Sequence, residues 1–189
     1  MATDFFYLLS TLPLLRLDGE DAVDYGAFLA SCQGRISQEE YACLEGLTLQ
    51  PQAEEECAVP VLVSWSHWRT AMDNVVAEWR FRRRGGEGVF PRREERDAFP
   101  GDVKALQAVL ERPGLLAKQQ GWEELCWRQL ETLASGERFN FASLVVYALK
   151  LLVLSGRRRC GVEAGSAVFE NLVSARLSEA SEHRVLVEE

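Results

Sequence analysis

Apolar residues along this 189-residue chain recur mainly at helical spacing, and strand-like alternation is scarce. The clearest example is a stripe that we call the tryptophan seam, in which residues recur every three or four positions. A stripe of this kind favours an amphipathic helix covered by a facing helix. Large aromatic residues at this spacing are more often core than a ligand-stacking surface. We therefore interpret the seam as core; its members are Trp65, Trp68, Met72, Val75 and Trp79.

Two shorter helices are predicted before the seam. The first ends at Gly34, and the second opens at Ser37, where Glu40 completes a capping box. The N-terminal apolar stretch is either an extended arm or a short helix broken at Pro13, and the polar residues 48–60 form a predicted surface loop. The apolar sides of the two helices are Val23, Phe28, Leu29 and Cys32, and then Tyr41, Leu44 and Leu47.

Four more helices are predicted in the second half of the chain. One covers residues 102–112, the next starts at Pro113 and ends at Gly136, a third stops at Gly156 with residues 157–159 following it, and a last one covers residues 162–177. The inward residues of the second are Trp122, Leu125, Cys126, Leu130 and Leu133. Those of the third are Phe139, Phe141, Leu144, Val145, Ala148, Leu149 and Leu152, with Ser143, Tyr147 and Lys150 on a polar stripe through which the lysine reaches water.

These elements predict an all-α fold, a helical bundle of about six or seven helices. With 47% apolar residues, a chain of this length can bury its own core. We expect one domain over residues 1–189; the alternative division is two lobes, residues 1–80 and 100–180, joined by a loop over residues 81–99. The apolar run at residues 140–154 would make a helix of about 22 Å, shorter than the ~30 Å hydrocarbon core of a bilayer. We interpret it as a core helix with no direct membrane insertion.

Charge is distributed unevenly along the chain. The net charge is −8, and residues 1–57 hold eleven acids and two bases, a net of −9. That acidity argues against a general nucleic-acid binder. Asp4 stands where a secretory signal needs basic residues, so we expect the mature chain to begin near Met1. The five cysteines are far apart, which favours reduced thiols and a cytoplasmic location.

Motifs that would indicate catalysis or a cofactor are missing from the sequence. The two histidines, His67 and His183, form no metal motif, and no nucleophile elbow occurs. Gly156 and Gly161 have the glycine spacing of a phosphate-binding loop, but Val162 and Glu163 replace its Lys and Ser/Thr. The sequence therefore predicts a non-enzymatic protein without catalytic residues, cofactor or metal.

An arginine- and glycine-rich stretch, residues 80–96, is the main candidate for a functional segment. It holds seven arginines and three glutamates, and its glycines and Pro91 predict a mobile loop without regular structure. Such a loop fits an acidic protein surface or, equally, the chain's own acidic N-terminal lobe. The alternative is a nucleic acid whose bases stack on Phe81. The candidate interaction residues are Arg80, Arg82, Arg83, Arg84, Arg92 and Arg93.

Four segments carry a family resemblance: "FFYLLSTLPLL", "FLASC…ISQEEYACLEGL", "GWEELCWRQLETLASGERFNFASLVVYALKLLVLSGR" and "EAGSAVFENL". Together they resemble a bacterial family of unknown biochemical function that is encoded in operons for V/A-type ATPases. The resemblance covers nearly the whole chain except residues 80–96, and its motifs are apolar and aromatic.

This resemblance implies a soluble accessory or subunit-like component of a rotary, ion-translocating ATPase. Its partners would be V/A-type ATPase subunits, and it would lie in the cytoplasm, peripheral to the membrane. A weaker, fold-level likeness is to the all-helical C/d-type subunit that couples the central stalk to the membrane ring. The family has no established catalytic residues that could be carried over to this chain.

Overall fold

The computed structural model describes residues 5–19, 23–50, 59–90, 92 and 99–159. These residues form seven α-helices and no strand, which confirms the predicted all-α class. The predicted helix over residues 162–177 and most of the predicted loop over residues 48–60 lie outside the described residues. The helices are α1 (Phe5–Thr11), α2 (Tyr25–Cys32), α3 (Gln38–Glu45), α4 (Pro60–Arg83), α5 (Pro100–Leu110), α6 (Leu115–Ala134) and α7 (Phe141–Arg159).

Residues 1–155 form one compact unit, and residues 156–189 form a second. The hydrophobic core described below belongs entirely to the first unit and runs from Leu8 to Leu154. It draws on all seven helices. The alternative division into lobes at residues 1–80 and 100–180 stays a prediction.

Local signals fix several helix starts. The predicted capping box is confirmed: Ser37 Oγ accepts a hydrogen bond from the Glu40 amide at 3.2 Å, and the Ser37 amide donates to Glu40 Oε2 at 2.8 Å. Helices α4 and α5 each open on a proline, Pro60 and Pro100, whose missing amide costs nothing at that position.

Helices α4, α5 and α6 pack against one another around the tryptophan seam. Trp65 is fully buried and stacks on Trp68 with ring centroids 5.2 Å apart, and Trp68 stacks in turn on Trp122 of α6 at 5.8 Å. Asp102 of α5 joins all three helices, because it accepts hydrogen bonds from Trp68 Nε1 at 3.1 Å and from Arg128 of α6 at 3.0 Å. The seam is thus core in its first half, as predicted.

Helix α6 approaches α5 closely at Gly121. A Cβ atom at this position would lie 2.8 Å from Val109 Cγ2 and 2.5 Å from an Arg112 guanidinium nitrogen. The glycine therefore permits this contact. Helix α6 begins at Leu115, after Gly114 with φ of +78°, and so two residues later than the predicted start at Pro113.

Eight residues of helix α7 are buried and all of them are apolar. Leu144, Val145, Ala148 and Leu149 are fully buried. Its Tyr147 hydroxyl donates a hydrogen bond to the Pro13 carbonyl at 3.1 Å. Aromatic contacts continue this link to the N-terminal helices: Phe141 lies 6.5 Å from Phe5 of α1, and Tyr147 lies 5.3 Å from Phe28 of α2.

The sequence predicts that Lys150 reaches water from a polar stripe of α7. The structure differs, because the Lys150 side chain is only 17% exposed. Its Nζ lies 4.7 Å from the Trp127 ring centroid and 3.9 Å from Glu131 Oε1, both on α6. Burial lowers the pKa of Lys150, and the Glu131 carboxylate opposes that shift. The lysine is therefore a half-buried contact between α6 and α7.

Both predicted ends of α7 need correction. At its start, Phe139 lies outside the helix with φ of 54° and is 49% exposed, because Asn140 caps α7 by accepting a hydrogen bond from the Ser143 amide at 3.0 Å. At its end, the helix runs through Gly156 to Arg159, since arginines are good helix formers and positive charge is favourable in a last turn. Within the described residues, no helix has both the length and the apolar character to cross a membrane.

Candidate functional site

Three of the candidate arginines lie on a helix, so the prediction that residues 80–96 lack regular structure is wrong at its beginning. Helix α4 includes Arg80, Arg82 and Arg83, and Arg84 follows it as the C-cap. The helix continues because arginine has high helix propensity and a basic last turn complements the helix dipole. It ends where Gly85 adopts φ of +81°.

We define the arginine surface as the five described and exposed candidate arginines: Arg80, Arg82, Arg83, Arg84 and Arg92. Arg93 lies outside the described residues. Two members of the surface converge on Glu78: Arg82 approaches Oε1 at 2.8 Å, and Arg92 approaches Oε2 at 2.5 Å. The hydrogen bonds from Arg82 and then Arg92 lower the pKa of Glu78. The sequence-distant Arg92 is thereby held beside α4.

The remaining members of the surface differ in their contacts. The Arg83 guanidinium lies 5.0 Å from the Trp79 ring centroid. The side chains of Arg80 and Arg84 make no ion pair or hydrogen bond within the described part of the chain. From residue 78 to residue 92 there are five arginines and two glutamates, a formal net charge of +3. Positive charge is therefore available to a partner.

A groove of about 750 Å³ lies between α4 and α5 beside the arginine surface. Glu78, Arg82 and Arg92 border it on one side, and Val75 and Val103 supply apolar wall. The surface is thus a basic patch next to an apolar recess. This combination suits a protein partner that carries acidic and apolar side chains.

A second recess, which we call the α4–α6 cleft, has a volume of about 680 Å³. It is bounded by side chains of α4, α5 and α6 together with Gln50 and the turn before α6. Its apolar lining is Val76, Trp79, Leu106, Val109, Leu110, Leu115 and Trp122, and its charged lining is Arg69, Asp73, Arg80 and Lys118.

Two indole rings hold cations at this cleft. The Arg69 guanidinium lies 4.5 Å from the Trp122 ring centroid, and Arg69 Nε lies 3.2 Å from Asp73 Oδ1. Lys118 Nζ lies 4.8 Å from the Trp79 ring centroid and donates a hydrogen bond to the Leu110 carbonyl at 2.6 Å. Three cations and one carboxylate therefore face the same space.

Sequence reasoning missed Arg69 and Lys118. Each is a single basic residue on an otherwise unremarkable helix, and no local motif marks either of them. Only the packing of α4 against α6 brings them to one cleft. The signal that could have directed attention there is Trp79, a seam member at the polar end of α4.

Cys32 and Cys126 are buried free thiols of the described residues. Burial raises the pKa of the Cys126 thiol to about 12 and also raises that of Cys32, so both are protonated at neutral pH. His67 is half-buried on α4. Within the described ranges, no group of three or more His, Cys, Asp or Glu side chains could hold a metal ion.

Comparison with known proteins gives no match for this chain among family models, curated proteins or solved structures.

Proposed function

We propose that this chain is a non-enzymatic accessory or subunit-like component of a V/A-type, rotary ion-translocating ATPase, and that it acts by protein–protein interaction. The choice of this machine rests on the resemblance of the apolar segments to that family. The observation that carries the mode of action is the arginine surface at the end of α4. In this proposal the chain is cytoplasmic and reaches the membrane only through the ATPase.

The contacts of the arginine surface support an acidic protein partner. Arg82 and Arg92 are held in place by a shared carboxylate, Glu78, and their side chains are still 68% and 51% exposed. Arg80 and Arg84 carry no compensating acid in the described part of the chain. A carboxylate-rich helix or loop could pair with these groups while apolar side chains enter the neighbouring groove.

The alternative, a nucleic-acid-binding module, has weaker support. It needs Phe81 as a stacking platform for bases. Phe81 is half-buried, lies 5.5 Å from the Phe90 ring centroid, and covers Gly86, where a Cβ atom would be 2.5 Å from the ring. Its ring is therefore engaged within the chain.

Co-purification tests the proposal. A tagged full-length chain, expressed in its native cells and isolated with mildly solubilised membranes, should retain V/A-type ATPase subunits. Arg83→Glu combined with Arg84→Glu should reduce that recovery about tenfold or more, since two attractive charges become repulsive. Arg138→Glu, which reverses an exposed arginine far from this surface in sequence, should leave recovery unchanged.

Two results would count against the proposal. Recovery of no ATPase subunit under mild conditions would remove the proposed partner. Salt-sensitive binding of a labelled single-stranded RNA, lost in the Arg83→Glu and Arg84→Glu variant, would favour the nucleic-acid alternative instead.

A further inference from the structure

The geometry points to the α4–α6 cleft as a binding site for a small organic anion, a molecule with one anionic group and an apolar body. The anionic group would lie between Lys118 and Arg80, with Arg69 deeper in the cleft. The apolar body would lie against the walls supplied by α5. This site is separate from the partner role of the arginine surface, although Arg80 belongs to both.

The charges in the cleft are not balanced. Asp73 is the single carboxylate in the lining, and it is paired with Arg69. Lys118 and Arg80 have no carboxylate partner within the described residues. An anion that entered the cleft would therefore meet two cations whose charge is not compensated by the protein. Its hydrogen bonds to these cations would be charge-assisted, and such bonds are stronger than those between neutral groups.

Two of the three cations, Lys118 and Arg69, are already positioned without a ligand. Lys118 is fixed from two sides, by the Leu110 carbonyl and by the Trp79 ring. Its hydrogen bond to the carbonyl uses one of three N–H groups and leaves two for an anion. Arg69 is only 15% exposed and rests on the Trp122 ring. Groups held in this way lose little conformational freedom when a ligand binds.

The shape and walls of the cleft determine the class of ligand. A volume of about 680 Å³ is enough for a small molecule. Val76, Leu106 and Val109 form an apolar wall on α4 and α5. A bare inorganic ion would leave this wall uncovered, whereas an anion with an aromatic or aliphatic body would cover it and gain the associated hydrophobic free energy.

A pair of matched fluorescent probes tests this inference on the full-length chain. 8-Anilinonaphthalene-1-sulfonate carries an anionic group on an apolar body, and N-phenyl-1-naphthylamine has the same ring skeleton without the sulfonate. We expect the sulfonate to bind saturably at one site. Its Kd should rise roughly tenfold in Lys118→Met and in Arg80→Gln, which each remove one charged hydrogen-bond donor. The neutral amine should bind these variants and the wild type alike.

Site assignment comes from the indole N–H signals of the five tryptophans in a nitrogen–proton correlation spectrum, assigned by single Trp→Phe variants. The sulfonate should shift the signals of Trp79 and Trp122, which line the cleft. The signal of Trp127, which contacts Lys150 instead, should not shift. Lys104→Met, on α5 outside the cleft lining, is the matched control and should bind the sulfonate like the wild type.

Several outcomes would overturn the inference: no saturable binding, equal weakening of both probes, unchanged sulfonate binding in Arg80→Gln, or shifts that miss Trp79 and Trp122. If Lys118→Met fails to fold, as judged by circular dichroism, the exposed Arg80 still decides, because its side chain has no contact whose loss would unfold the chain. These outcomes are independent of ATPase co-purification, which is tested with Arg83 and Arg84.

Discussion

The two halves of α4 carry the same apolar spacing but lie in different surroundings. In residues 60–72, Trp65 and Met72 are fully buried, and the indoles stack on one another. In residues 73–83, Val75 and Trp79 are only half-buried, and Trp79 contacts Arg83 and Lys118 instead of another indole. Trp79 also donates a hydrogen bond to Glu111 Oε1 at 2.9 Å.

A periodic apolar pattern does not by itself determine how deeply the residues on a helix are buried. The spacing determines which side of a helix is apolar, whereas the neighbouring helices determine how deeply each turn is covered. The first half is covered by α5 and α6 together, through Asp102 and Trp122. The second half borders a recess on either side, and Trp79 lines both. Trp79 contacts the cations Arg83 and Lys118, whereas the tryptophans of the first half contact other aromatic rings.

The largest effect should come from Trp65→Ala in the covered half. Loss of a fully buried indole leaves a cavity and should lower the free energy of unfolding by about 3–5 kcal/mol. The matched variant in the open half, Trp79→Ala, should cost only roughly 1–2 kcal/mol, for its cation contacts and one hydrogen bond. Urea denaturation followed by circular dichroism measures both. Equal losses of unfolding free energy in the two variants would contradict the difference in burial between the two halves of α4.

A smaller effect should come from Gly121→Ala, which acts on the helices that cover α4. The new methyl would overlap Val109 and displace the Arg112 side chain, so we expect a loss of about 1–3 kcal/mol. Gly101→Ala in α5 is the control, because no atom lies within 4 Å of its Cβ position and the change should stabilise by roughly 0.5 kcal/mol. Thermal denaturation of both variants checks this; a stabilised Gly121→Ala would show that α5 and α6 do not touch closely.

The smallest effect should come from Glu78→Gln in the open half. The arginines hold the pKa of Glu78 below its ordinary 4.5, so its stabilising contribution is present above that pH and is lost as pH falls through the lowered value. For an exposed pair we expect less than about 1 kcal/mol at neutral pH. The stability difference between the wild type and Glu78→Gln, measured by urea denaturation from pH 7 to pH 3, should shrink below pH 4.5. A difference that does not change with pH would contradict this.

Much of the fold could be predicted from the sequence because its signals are local. The capping box at Ser37 and the seam on α4 each depend on residues three or four positions apart, and such neighbours meet on any helix. Gly85, Gly86 and Pro91 predict irregular structure for the whole arginine-rich stretch, and this prediction misplaces the end of α4. In the structure the helix continues to Arg83, two residues before the first of these glycines, with the Glu78–Arg82 pair along its surface.

Phe139 and the α4–α6 cleft show where local reasoning ends. The apolar character of Phe139 suggested a core position, but the cap formed by Asn140 places it before α7, 4.6 Å from the exposed Phe6. The cleft depends on Arg69 of α4 and Lys118 of α6 lining the same space. Nothing in the spacing of either residue encodes that arrangement, because it follows from helix packing. The arginine surface is the part of the candidate site that the sequence predicts, and the prediction depends on composition.

The hydrogen bond from Tyr147 to the Pro13 carbonyl has a consequence for how this chain is made. The two residues are separated by 134 positions, and ribosomes add roughly 5–20 residues per second. Tyr147 is therefore added to the growing chain roughly 7 to 27 s after Pro13. During that interval Phe5 of α1 lacks Phe141 of α7, the ring that it lies beside in the finished chain. Helix α1 is therefore synthesised before α7, the helix that it contacts through Phe5 and Phe141.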